Sequence, residues 1–253
     1  MRENDKTSAP AIDNAVAIVE LVAMSTLPLT LTDICQQTGI SPSTAHRVIN
    51  SLLHHEMLST DPRKKRSYSV GSRVFEVAST VLSKQSLIPF FYPLAEILKN
   101  EVHQTIFLSV PIGKQMVVIS KVEPAVSNTY EIYTGQTVNM HLSAAGKVML
   151  AMHSEVFQAN YFALEAVAEQ LNDAERDAVF ADLQRSARLG YAVSHGDFEG
   201  GVSTMAAPVM NLNNEPVASV GIAIKSDRFD RGEARQYSKN LVQAARQLSS
   251  RIV

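Results

Sequence analysis

Cysteine is nearly absent from this chain: Cys35 stands alone among 253 residues, so no internal disulfide can form. That excludes the disulfide-stapled class of small secreted domains and fits a reducing compartment, the cytoplasm. Long apolar runs are missing as well, since no stretch approaches the roughly 18 consecutive apolar residues of a membrane span. Met1 to Pro10 is polar and mixed in charge, unlike a secretory or transit leader, and reads as a short disordered arm. There is no Gly-x-Ser-x-Gly elbow, no phosphate loop and no glycine-rich dinucleotide fingerprint. These absences argue against an enzyme, and no cofactor is expected. A basic excess is lacking too: the net charge is −2, and residues 1–72 hold seven Lys/Arg against seven Asp/Glu. Distribution matters more than the sum, however, and four of those seven basic residues run together as Arg63, Lys64, Lys65 and Arg66.

The composition that remains, 45% hydrophobic and 19% charged, is that of a globular protein long enough for two compact domains. From Asn14 to Met24, Ala15, Ile18, Val19 and Val22 share a helical face. A second helix follows Thr30, with Asp33 placed for a capping box, Leu31, Ile34 and Cys35 inward, and Gly39 at its end. A third starts at Ser41, expected to cap the free N–H groups, with Pro42 at the first helical position. Its apolar side is Ala45, Val48, Ile49, Leu52 and Leu53; its polar side is Ser43, Thr44, His46, Arg47, Asn50 and Ser51. Two short helices joined by a tight glycine turn make a helix-turn-helix. Glu56–Thr60 and Ser67–Val70 read as strands flanking the basic run, which makes a wing.

From Ser72, the residues Val74, Val77, Ala78, Val81 and Leu82 repeat at helical spacing. This linking helix, over 72–85, has no partner for its apolar face within so small a domain, and a second copy of the chain is the natural candidate. Residues 86–253 alternate helices and strands. Leu94–Val102, Ala144–Met152, Asp173–Leu189 and a last segment from about Gly232 read as helices. Thr105–Val110, Gln115–Val122, Ser203–Met210 and Val217–Ile224 read as strands. The expectation is a mixed α+β fold: an arm over 1–10, a winged helix-turn-helix over 11–71, the linker helix, and an antiparallel sheet with helices packed on it.

Short side chains and one Arg on the third helix suit entry into a major groove, where Arg forms two bonds to a guanine edge. The bland alternative is a solvated helix face. Likewise the basic run is either a solubilising loop or, on a hairpin beside that helix, a set of phosphate contacts. Cys35 reads as a structural thiol. His46, His54, His55, His103, His141, His153 and His195 show no metal-ligand spacing, and only a site formed in space by His141 and His195 stays open. The segment Gly190–Glu199 sets Ser194, His195, Asp197 and Glu199 close together, but sequence neighbours do not make a triad unless their side chains converge.

At this point the pattern resembles the IclR (isocitrate lyase regulator) family of bacterial transcription regulators, from about Ala11 to Val253. The resemblance rests on Leu31 through Arg47, on Tyr68-Ser-Val-Gly71, on His141-Leu-Ser-Ala-Ala-Gly-Lys-Val-Met-Leu150, on Gly190-Tyr-Ala192 running to Gly201, and on Met205-Ala-Ala-Pro-Val209. It implies a GAF-like effector domain, a dimer or tetramer, double-stranded operator DNA and repression rather than activation. By the same resemblance, Ser43, Thr44, His46 and Arg47 fall on DNA-contacting positions and Arg63, Lys64, Lys65 and Arg66 on the phosphate-contacting hairpin. The effector pocket maps to the N–H groups of Ala144 and Ala145, a polar wall of Ser194 and Thr204, Gly221 and Ala223 on the last strand, and an apolar wall of Val138, Val202 and Tyr133. Members that bind small keto acids carry an acid and hydroxyls where this chain has Ser194, Gly221 and Ala223. The implied effector is therefore a larger, less polar organic acid, aromatic acids included, and glyoxylate would be held poorly. Two alternatives stay open: an activator of a catabolic operon, and a protein-interaction module that no longer binds DNA.

Overall fold

The computed structural model describes residues 9–60, 66–83, 87–125, 132–198, 201–225 and 231–252. The chain divides into two compact units, Met1–Gln85 and Ser86–Val253. No helix among the described residues is long and apolar enough to cross a membrane.

In the first unit, helices α1 (Pro10–Met24), α2 (Leu31–Thr38) and α3 (Pro42–His54) enclose a core of Ile18, Val22, Ile34, Ile49, Leu52 and Leu58. Helix α1 starts four residues before the apolar periodicity does, because Pro10 supplies a helical φ at its first turn. Thr30 and Asp33 form the expected capping box, and Gly39 ends α2 in the left-handed region at φ 73°. Ser41 is a correction. It holds the N-cap position of α3, but its hydroxyl makes no capping bond to the backbone and instead donates to Thr44 Oγ1 at 3.0 Å. Strands β1 (Leu29–Thr30), β2 (Leu58–Thr60) and β3 (Ser67–Val70) form a three-stranded antiparallel sheet in the order β1-β3-β2. The two-residue β1 lay below the length at which alternation is readable. Helix α4 (Ser72–Ser83) follows, with Phe75 65% and Val77 51% exposed.

The second unit opens with α5 (Ile88–Val102), which begins well before the expected Leu94 and tolerates Pro93 within it. Its sheet is six-stranded and antiparallel, built from β4 (Thr105–Ile112), β5 (Gln115–Val122), β6 (Thr137–Asn139), β7 (Ala192–Phe198), β8 (Val202–Met210) and β9 (Pro216–Lys225) in the order β6-β5-β4-β9-β8-β7. Leu108 pairs with Ser120 and Ser109 with Val118, so Ile119 is the extra residue of a bulge in β5. Helices α6 (Ala144–Met152), α7 (Glu155–Phe162), α8 (Glu165–Ala168) and α9 (Asp173–Leu189) lie between β6 and β7 in the chain, and α10 (Arg231–Ser249) closes it. Helix α6 packs on β7, β8 and β9 and on α9, whereas α5 and α10 pack on each other and on β4, β8 and β9. Along β4, β8 and β9 nearly every residue is buried, which is what helices on both faces of a sheet require.

Candidate functional site

The outer face of α3 is set by its inner one. Ala45, Ile49 and Leu52 are buried, and at 100° per residue their burial turns Ser43, His46, Arg47 and Asn50 outward. All four are exposed; Thr44, at the flank, is partly covered. His46 and Asn50, one turn apart, meet through Nδ1 and Nδ2 at 3.3 Å. Thr44, Arg47 and Ser51 also line a groove of about 400 Å³ whose other wall is Pro10, Ala11 and Asn14 of α1. The helix thus presents short hydroxyls, an imidazole and one long cation, and no acidic residue stands on it. Arg66 is exposed beside β3 with φ 62°. Arg63, Lys64 and Lys65 lie outside the described residues.

In the second unit the structure brings most of the expected pocket residues together. Ser143 caps α6 by accepting from the Gly146 N–H at 3.0 Å, so the helix starts cleanly and its first N–H groups belong to Ala144 and Ala145. Gly146 is required there: a Cβ on it would stand 2.2 Å from Met140 Cα. Ala144, Ala145, Val202 and Ala223 share one buried cluster with Phe107, Met116, Val118, Ile132 and Met140, and Val138 packs against it. Ser194 and Thr204 are buried directly opposite each other on β7 and β8, with Ser194 Oγ donating to the Leu142 carbonyl at 3.1 Å. Gly221 lies under the Phe107 ring. Tyr133 is not brought in, being 53% exposed and absent from the cluster. Strand alternation puts Ser219 on the same face as Gly221 and Ala223, where it meets Ser109 through a 3.0 Å hydroxyl pair.

Sequence reasoning missed Phe107 and Thr105 on β4. Their alternation was the available signal, but a strand buried on both faces reads as a continuous apolar run. The His141 environment was missed with α7. His141 is buried; its Nδ1 lies 2.8 Å from the Tyr161 hydroxyl, which also accepts from the His141 N–H and reaches the Lys114 carbonyl at 3.3 Å. Its Nε2 is buried with no partner among the described residues. Burial first, then the charges of Lys147 and Lys114, push the His141 pKa down, while burial pushes that of Tyr161 up. His195 pairs with Ser203, Nδ1 to Oγ at 3.0 Å, on the face of the sheet opposite to Ser194. His141 and His195 therefore face different surroundings, and no group of three or more metal-ligating side chains occurs among the described residues. Lys147 reaches Asp182 at 3.2 Å and so ties α6 to α9.

A helix-turn-helix with a wing, followed by an α+β unit whose sheet buries a core against α6, is the architecture of a DNA-binding transcriptional regulator. Residues 79–250 match the family model of the bacterial transcriptional regulator IclR C-terminal domain, and residues 11–62 match that of the IclR helix-turn-helix domain. The chain belongs to the IclR family. It is similar to the HTH-type transcriptional regulator BhcR of Paracoccus denitrificans, with 27% identity over 97% of this chain and 88% of that protein. The fold is that of the Thermotoga maritima IclR crystal structure, with a TM-score of 0.74, 21% identity, and coverage of 96% of this chain and 98% of that one. It is also that of an IclR homologue from Microbacterium hydrocarbonoxydans solved with 4-hydroxybenzoate, with a TM-score of 0.74, 17% identity, and coverage of 95% and 98%.

Proposed function

We infer that this regulator is a repressor that binds operator DNA as a homodimer or a dimer of dimers in the cytoplasm, and that a small organic acid in the second unit sets its affinity for the operator. The observation that carries the reading is the outward face of α3. Ser43, Thr44, His46 and Arg47 stand there on a helix whose other side is locked into a core. Arg47 serves as the base-reading residue, and Arg66, with Arg63, Lys64 and Lys65, neutralises phosphates. The effector binds at the start of α6, its carboxylate on the N–H groups of Ala144 and Ala145, where the helix dipole favours an anion. Ser194, Thr204, Val202, Val138, Gly221 and Ala223 surround its body, and Tyr133 lies at the periphery. The 4-hydroxybenzoate held by the Microbacterium relative supports an aromatic acid as the class. The exposed Phe75 and Val77 of α4 supply the dimer contact.

The test is binding of the purified chain to its own upstream DNA, titrated with salt and with organic acids. Specific binding that strengthens as salt falls, and that an acid weakens, is the expected result. Arg47→Ala removes a contact of about 1–3 kcal/mol. Unchanged binding by that variant would overturn Arg47 as the base-reading residue, and no specific binding at any salt would leave the helix-turn-helix as scaffold for a protein partner. Binding strengthened by the acid would make the acid a coligand, and transcription from the operator then decides between corepression and activation.

A further inference from the structure

The register of the six-stranded sheet lays side chains out in transverse rows. One row runs Ser194–Thr204–Ala223–Thr105 across β7, β8, β9 and β4, and the row two residues along runs Ala192–Ala206–Gly221–Phe107. Directly paired residues share a face, and so do residues two apart on a strand, so both rows look towards α6. The cluster bears this out, since Ala192, Ala206, Ala223 and Phe107 are buried in it together with Ala144 and Ala145. The first row holds three buried hydroxyl residues. The second is three small residues and one ring.

The ring occupies the trough those small residues leave. A Cβ on Gly221 would stand 2.1 Å from Phe107 Cζ, with Cε1 and Cε2 at 2.5 and 2.6 Å. While the ring is seated there, only glycine fits at 221, and β9 can offer no hydroxyl at that point. Ala223 offers none either, and Ser219 is already engaged with Ser109. A ligand whose carboxylate sits at the α6 start thus meets an aromatic ring where β9 offers no hydroxyl, beside the Ser194–Thr204–Thr105 row. Aromatic rings favour offset or edge contacts with another ring beyond what buried area alone gives. A small keto or hydroxy acid has no ring to make such a contact and gains only what the ring's buried area gives.

We propose that Phe107, seated over Gly221, is the specificity-determining residue of the effector site and selects monocarboxylates with a flat aromatic body. The proposal rests on the reading of the α6 start as the effector site. The ring sets the preference by shape and by its edge-or-face contact, and Gly221 acts through the ring as its positioning residue.

The experiment titrates the full chain with benzoate, 4-hydroxybenzoate, cyclohexanecarboxylate and glyoxylate by calorimetry, in the wild type, Phe107→Leu and Gly221→Ala. Operator binding without acid reports folding of each variant. The wild type is expected to bind benzoate or 4-hydroxybenzoate about 10-fold more tightly than cyclohexanecarboxylate, the part of a ring–ring contact that area does not explain. Phe107→Leu is expected to bring that ratio close to one with operator binding retained. If Phe107→Leu fails to fold, Gly221→Ala, which keeps the ring but displaces it, carries the test and is expected to shrink the same ratio. An unchanged ratio in a folded variant, or a wild type that prefers glyoxylate, overturns the role of Phe107 while leaving an effector site. Operator binding with no response to any of the acids overturns the effector reading and the proposal with it.

Discussion

His141 is a buried basic side chain whose protonation is opposed first by that burial and then by the charges of Lys147 and Lys114. Its Nδ1 lies beside the Tyr161 hydroxyl, and Asp182, which could offset one of the cations, is spent on Lys147. Because the folded pKa is depressed below 6.5, the folded protein binds fewer protons than the unfolded chain as pH falls through that value. The stability due to neutral His141 is therefore intact above about pH 6.5 and is lost progressively below it. His153, lowered by burial and partly restored by Glu215, adds in the same direction. Thermal unfolding between pH 7.5 and pH 5 should show a falling midpoint, and His141→Gln should flatten part of that fall while leaving the part due to His153. An acid limb as steep in the variant as in the wild type would clear His141 of the effect. The missing Cβ of Gly146 is replaced by Met140 backbone at 2.2 Å, which unlike a side-chain tip cannot swing away. Gly146→Ala should cost on the order of 1–3 kcal/mol in urea unfolding, the usual range for an overpacked site.

Elements were legible where local chemistry and the core agreed. Thr30 with Asp33, Gly39 and the 45-48-49-52 spacing announced α2 and α3 without knowledge of their partners. The same reasoning overreached at Ser41, whose position was right but whose hydroxyl found Thr44 Oγ1 closer at hand than a backbone N–H. Much of the pocket was hidden, for a physical reason. β7 buries Ser194 against a main-chain carbonyl and turns His195 towards Ser203, so its alternation is polar on both faces and does not read as a strand. β6 has three residues and α8 four, both below the length at which a period can be counted. Phe107 and Gly221 met only through the pairing of β4 with β9, more than a hundred positions apart, which no local pattern carries. Helix α4 gives this scale its prediction, because it shows Phe75 and Val77 to solvent on a helix whose polar residues Arg73 and Glu76 pair with each other at 2.9 Å. If α4 is the contact between copies, charges on both of its sides, Phe75→Glu with Val77→Glu, should shift the assembly to monomer in sedimentation and weaken operator binding together. A double variant that sediments as the wild type does would place the contact elsewhere.

At the scale of the whole molecule, regulation needs two sites that share free energy. The two units have separate cores, Ile18–Leu58 around the three helices of one and Phe107–Ala223 beneath α6 in the other. In the proposed reading each responds to its own ligand, and regulation lies in the coupling between them. An acid bound in the second unit should raise the unfolding midpoint, by about 2.7 kcal/mol of stability at a hundred times its dissociation constant. That alone would show binding, not regulation. Coupling shows as a change in operator affinity, typically about 5- to 150-fold, and thermodynamics then fixes a second number. Whatever factor the acid imposes on operator binding, the operator must impose on binding of the acid. Calorimetric titration of the acid should therefore give an affinity weaker in the presence of saturating operator by the same factor that the acid costs the DNA complex. If the mutual weakening does not level off as either ligand is raised, the acid is displacing DNA by competing for α3 rather than by acting through the second unit. Arg47→Ala separates these cases, because it weakens operator binding but leaves the affinity for the acid untouched only when the acid binds away from α3.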